Sequence, residues 1–369
     1  MMNRTARGGQ FKWLKGAWLL LGMLFIGLPL AAQEANSYHI YVDFLSGTQR
    51  GEGGDTVDVI DPATLKVVQS IKGLTGTHGM GFSPDGSRIY VADEGENVLA
   101  VVDHKTGNII KKIPLTGDPN TLAVTKDGGR VIIGLRQGPG PKDKVSRSTT
   151  GSLDVVDTKT LERVRSIPMH GGLHDIYLTP DGKYVVAGSE EAKSVTVVDV
   201  QTEQPVWEVK IDDNVNTMAF EANPDGSTNR IFVQTNVERG FQVLDFAQRK
   251  IVAKITLPDT EASKLATSQG KKEHCHGTFV SPDNKTYWIN SQLENVVYAY
   301  SLPDLKLIGH VALGARPDWI AISPDSTRVY DGNADEGTLS VVDAKAMKEV
   351  ARIPSSQLGG LRIFRVYTH

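Results

Sequence analysis

The chain has 369 residues, 40% of them hydrophobic and 22% charged, with a formal net charge of −3. That composition belongs to a folded protein with a sizeable core, and it argues against nucleic acid, whose phosphates call for a surplus of Lys and Arg on one face. Cys275 is the single cysteine, so no internal disulfide staples the fold.

Residues 1–32 read as a signal peptide. Arg4, Arg7, Lys12 and Lys15 precede an apolar stretch from Ala17 to Leu28, and Ala31 and Ala32 stand before polar Gln33 as a cleavage site. The stretch from Trp13 to Ala32 approaches spanning length, which makes a retained anchor the competing reading; the short apolar core and small residues favour cleavage. No Cys marks a lipoprotein and no paired arginines mark a twin-arginine signal. The expected product is periplasmic or secreted, with no stable membrane span.

Residues 36–369 then carry one recurring unit. The first copy is short of a strand, holding only His39 to Asp43, Thr56 to Asp61 and Val67 to Ile71. The second is complete: His78 to Phe82, a Ser-Pro-Asp-Gly turn ending at Gly86, Arg88 to Asp93, Val98 to Asp103 and Ile109 to Pro114. Each segment is apolar or alternating and bounded by turn residues, as short strands are. Pro fixes φ in these turns, Asp bonds its own backbone and Gly takes the positive φ. The unit returns at Leu178 to Gly182, Val280 to Asp283 and Ile322 to Asp325, with looser copies at Val124 to Gly128 and Asn223 to Gly226. Its undisturbed spacing is 42 residues, from Asp61 to Asp103 and from Asp157 to Asp199. Four strands repeating at about this period predict an all-β fold, a seven-bladed β-propeller of four-stranded blades in one domain. The segment from Leu361 to Tyr367 supplies the missing innermost strand, so the two ends of the chain pair and close the ring.

On Tyr90-Val-Ala-Asp93 and the following Val98-Leu-Ala-Val-Val-Asp103, the mature chain resembles the YVTN-type propeller repeat family along essentially its whole length. It is more distantly similar to propeller subunits of amine dehydrogenases, haem d1 propellers and bacterial propeller lactonases. The resemblance implies the fold and leaves the function open, because one propeller scaffold hosts many activities.

The innermost strands of a propeller begin on one face and line the central channel. The first position of each, seven residues before the turn Asp, reads His78, Asn120, His174, His276 and Asp318. Asn216 joins them if the fifth blade has two extra residues before its turn. Imidazoles and a carboxylate at a channel mouth suit a divalent transition metal, copper, zinc or iron among them. His274 flanks Cys275 opposite His276 and is an alternative ligand, while Asp175 and Arg316 sit beside the ring as supporting partners. Against this, a wet channel rim carries polar residues whether or not it binds anything. Cys275 reads as a small buried hydrophobe, and Tyr90, Tyr177, Phe220, Phe279 and Trp319 as blade packing.

Three insertions break the period, Leu45 to Asp55, Arg136 to Ser152 and Pro258 to Glu273, and all map to the face of the ring. There is no Cys-x-x-Cys-His motif, so covalently attached haem is not expected, and neither a Gly-x-Ser-x-Gly elbow nor a P-loop occurs. The sequence leaves three functions standing. One is a binding or accessory protein for a small molecule or partner subunit. The second is a metal-dependent periplasmic enzyme, an oxidoreductase or lactonase-like hydrolase with Asp318, Asp175 and Glu273 as its available carboxylates. The third is a surface scaffold for other proteins.

Overall fold

Seven antiparallel sheets of four strands each surround a central axis. The computed structural model describes residues 38–45, 53–137, 150–235, 239–268, 275–354 and 362–369. Residues 1–32, expected to be a signal peptide, lie outside them with Glu273 and His274, as do parts of the three insertions. Tyr38–His369 is one compact unit, and among the described residues no helix is long and apolar enough to cross a membrane.

The turn residues explain why the strands stop where they do. In the second blade the Ser83 hydroxyl donates to Asp85 Oδ1 at 2.6 Å, the same oxygen accepts from Ser87 N, and Gly86 sits at φ +67°. Thr125 with Asp127, Thr179 with Asp181, Ser281 with Asp283 and Ser323 with Asp325 repeat the bond at 2.6–2.7 Å. Where glycine is missing, Asn284 and Ser326 take the left-handed conformation themselves. A second device, beginning with Asp61, closes the two outer strands of six of the seven blades, with Ser301 in its place in the sixth. In the second blade Asp103 Oδ1 accepts from Thr106 N and Oγ1, and Asp157, Asp199, Asp245 and Asp343 cap the equivalent turns.

The ring closes as the sequence predicts. Arg362–Thr368 lies innermost in the first blade, antiparallel to Ile40–Leu45 with Val42 opposite Val366. His39 N donates to His369 O at 2.7 Å and His369 N returns the bond to His39 O. No open sheet edge is therefore left at the join. Neighbouring blades bury apolar side chains between them; Tyr41, Ile71, Met80, Val91 and Ala100 form one such layer.

One element is additional to the strands. The third insertion contains a helix, Glu261–Ser268, capped by Thr260, whose Oγ1 accepts from Ser263 N at 3.1 Å while Thr260 N donates to Ser263 Oγ at 2.9 Å. A Thr followed three residues on by a reciprocating side chain is a helix start.

A polar ring at the channel mouth

The innermost strands Thr77–Phe82, Leu173–Leu178, Val215–Ala222 and Pro317–Ile322 share a feature at their first residues. The ladder to the second strand slips there, between Thr77 and Met80, Leu173 and Ile176, Val215 and Met218, and Pro317 and Trp319. The third blade slips between Pro119 and Leu122. Such a bulge re-aims the side chain it carries. His78, Asn120, His174, Asn216 and Asp318 all sit inside these slips. The fifth blade absorbs its two extra residues in a second irregularity at Glu221 and Ala222, which keeps Asn216 in line with the others.

The sixth blade solves the same problem differently. Its innermost strand pairs only over Thr278–Val280. Ahead of it, one backbone bond remains, from Asn290 N to Gly277 O at 3.0 Å, and the Asn290 side chain supplies the rest, its Oδ1 accepting from His276 N at 3.1 Å and Gly277 N at 2.9 Å. Asn290 Nδ2 in turn donates to the Asp331 carboxyl at 3.2 Å. Asp331 is fully buried, and that burial, reinforced by the nearby charge of Asp318, pushes its pKa well above the carboxylate range. Close approach of the inner strands also requires glycine at one ring neighbour. A Cβ at Gly79 would lie 2.5 Å from Asn120 O.

Two of the three histidines are held alike. His174 Nδ1 donates to Asn216 O at 3.1 Å, and His276 Nδ1 donates to Asp318 O at 2.9 Å. A carbonyl only accepts, so in each ring a proton is on Nδ1, and in the neutral imidazole the acceptor lone pair is then on Nε2. The two imidazoles stand edge to face with centroids 6.0 Å apart. His174 Nε2 is 3.9 Å from Glu190 Oε1, and Asp175 Oδ1 lies 3.7 Å from His174 Nδ1 while its Oδ2 accepts from Tyr177 OH. Asp318 Oδ1 accepts from Gln292 Nε2 at 2.6 Å. Thr217 Oγ1 donates to His276 O at 2.6 Å and ties the fifth blade to the sixth.

The remaining expected residues are partnered differently. His78 Nε2 accepts from the Arg136 guanidinium at 2.7 Å, and Arg136 is 3.6 Å from Glu94, so a fixed cation stands against the third imidazole of the ring. Among the described residues no group of three or more His, Cys, Asp or Glu side chains is arranged to hold a metal ion. Arg316 pairs with Asp335 at 3.1 Å rather than with a ring residue. Cys275 is fully buried in an apolar cluster with Phe232, Phe241 and Tyr287. Sequence reasoning missed Glu190, Arg136, Gln292 and Asn290. All four come from second strands or the loops after them, and only the folded ring brings them to the mouth.

The fold makes this a seven-bladed β-propeller. No family model matches the chain. Over 321 residues it is 25% identical to the uncharacterized protein YwhL of Bacillus subtilis, a match covering 76% of this chain and 65% of that one, just under two thirds of the relative's length. Among solved structures it is similar to hydrazine synthase of Kuenenia stuttgartiensis, at a TM-score of 0.64 and 21% identity over 79% of this chain and 90% of that one. It also resembles the dihydro-haem d1 dehydrogenase NirN, solved in complex with DHE (TM-score 0.60, 16% identity, 85% and 63% of the two chains). A third likeness is to a putative 6-phosphogluconolactonase from Bacteroides fragilis (TM-score 0.68, 13% identity, 90% and 98%). At these identities the likeness is one of fold.

Proposed function

We propose that this is an exported binding propeller whose channel mouth holds a small cationic ligand, either a divalent first-row metal ion or a protonated amine. The observation that carries the reading is the shared orientation of His174 and His276. Each fixes its Nδ1 proton on a backbone carbonyl, which is how imidazoles are set to offer Nε2 to a cation. A carboxylate stands beside each, Glu190 near His174 and Asp318 near His276, while the Arg136 cation is taken up by His78 and Glu94. A metal bound here takes two protein nitrogens and completes its shell with water or a second ligand.

Two arms of one experiment separate the sources of charge. Protein recovered from the periplasmic and culture fractions is analysed for bound metal, then titrated calorimetrically with zinc ion and, separately, with butylammonium. Binding of either one, lost in the His174→Ala/His276→Ala double variant, supports the reading and identifies the source. Absence of both, or binding that survives in the variant, overturns it. Amino-terminal sequencing of the recovered protein tests export, with Gln33 as the expected first residue.

A further inference from the structure

On the turn side of the ring the channel holds a chamber of about 420 Å³, and among the described residues no acidic, basic or histidine side chain lines it. All seven innermost strands contribute to its wall. Phe82, Tyr177, Phe220, Phe279, Trp319 and Tyr367 supply aromatic surface at several heights. Four of these, Tyr177, Phe220, Phe279 and Trp319, were expected to serve mostly blade packing, and Trp319, Tyr177 and Phe220 do also pack in the apolar clusters between blades. Tyr90, the fifth of that set, does lie buried between blades.

Exposure shows from which side the chamber is reached. At the mouth Asn120, His78, Asn216, Asp318 and His174 are only 0–8% exposed. At the opposite end Phe279 is 40% exposed, and Phe82 and Phe220 are half-buried just ahead of the repeated turns. The chamber is therefore reached from the face of those turns, where the His369 ring stacks on Phe82 at 4.3 Å.

We infer that the chamber is a second ligand site, reached from the turn face, for an uncharged and largely apolar small molecule. Its volume falls in the range of small-molecule pockets and suits a body of two or three rings. A charged ligand would lose its hydration with no counter-charge among the described wall residues, so charge is selected against. Aromatic surface left facing water costs free energy in proportion to its area and gives the ligand its driving force. Met80 and Met218 supply adaptable side chains to the wall.

The test uses the mature protein and N-phenyl-1-naphthylamine, an uncharged two-part aromatic probe that fluoresces in apolar surroundings. The expected result is saturable binding of one probe per chain, with energy transfer from tryptophan that falls in Trp319→Phe. Phe279→Arg, at a position exposed enough to tolerate the change, weakens binding at least tenfold while its thermal unfolding stays that of the native protein. Phe279→Ser serves as the second variant should the arginine disturb folding. Anilinonaphthalene sulfonate, a similar body carrying a negative charge, binds at least tenfold more weakly. The His174→Ala/His276→Ala variant binds the neutral probe as the native protein does, which separates this site from the mouth. No saturable binding, equal binding by the Phe279 variants, or equal affinity for the sulfonate would overturn the inference.

Discussion

His276 donates its Nδ1 proton to the carbonyl of Asp318, and His174 donates its own to the carbonyl of Asn216, each bond reaching a residue 42 positions further along the chain. The interval is the repeat itself, so each imidazole is fixed by the matching residue of the next blade. His78 occupies the same repeat position, yet its Nε2 accepts from Arg136. The three histidines therefore differ in role. His174→Ala and His276→Ala are each expected to weaken cation binding at least tenfold by calorimetry, whereas His78→Ala changes it by less than threefold.

Asn290 gives a prediction about stability. Its side chain satisfies two backbone N–H groups at the start of the sixth blade and the buried Asp331 carboxyl. Truncation to alanine leaves these groups buried without it, at a cost of about 2–4 kcal/mol. Urea unfolding of Asn290→Ala measures that loss. Cation affinity should fall with it, because the backbone of His276 is what Asn290 holds.

Gly79 makes an independent prediction. The nearest atoms to an added Cβ are backbone, Asn120 O at 2.5 Å and Thr121 Cα at 2.6 Å, so no side-chain rotation relieves the clash. Gly79→Ala should destabilise by about 1–3 kcal/mol, the usual cost of overpacking, in the same unfolding experiment. Gly86→Ala, where nothing lies within 4 Å, carries only the strain of its φ of +67°.

The repeated turns set the response to acid. The Ser83 hydroxyl, followed by the Ser87 backbone and hydroxyl, lowers the pKa of Asp85 from 3.8 to about 2. Asp103, Asp127, Asp157, Asp181, Asp225, Asp325 and Asp343 are lowered as well, by hydrogen bonds within their own turns. A carboxylate depressed in the folded state binds fewer protons there than in the unfolded chain. Its contribution is therefore complete above the unfolded pKa and is lost as pH falls through the folded one. Thermal stability should drop steeply between about pH 4 and pH 2, with many sites titrating together. Asp85→Asn should lower the melting temperature more at pH 7 than at pH 2, where the native carboxyl is itself about half protonated and most of its contribution is gone.

Much of this architecture was legible in the residues. The Ser-Pro-Asp-Gly turns and the Asp61 to Asp103 spacing define the blades, and the lone strand ending at Tyr367 predicts the closure. Aligning the turns also places Asn216 in the ring, with the gap that the irregularity at Glu221 accommodates. The partners of the ring were not legible, because Arg136, Glu190 and Asn290 lie on second strands or the loops after them, and their reach depends on how the blades pack. The apolar chamber was hidden for a related reason. A Phe or Trp on an innermost strand reads as packing until seven such strands converge on one axis. The helix start at Thr260 was legible in principle, since Thr260 and Ser263 have the spacing of a cap.

The most direct measurement is long-range proton–nitrogen NMR of the histidine side chains, recorded before and after adding zinc ion and then butylammonium. Among nine histidines, the account predicts that Nε2 of His174 and His276 alone responds, while Nδ1 of both keeps its proton. A response centred on other histidines, or none at these two with either cation, would contradict it.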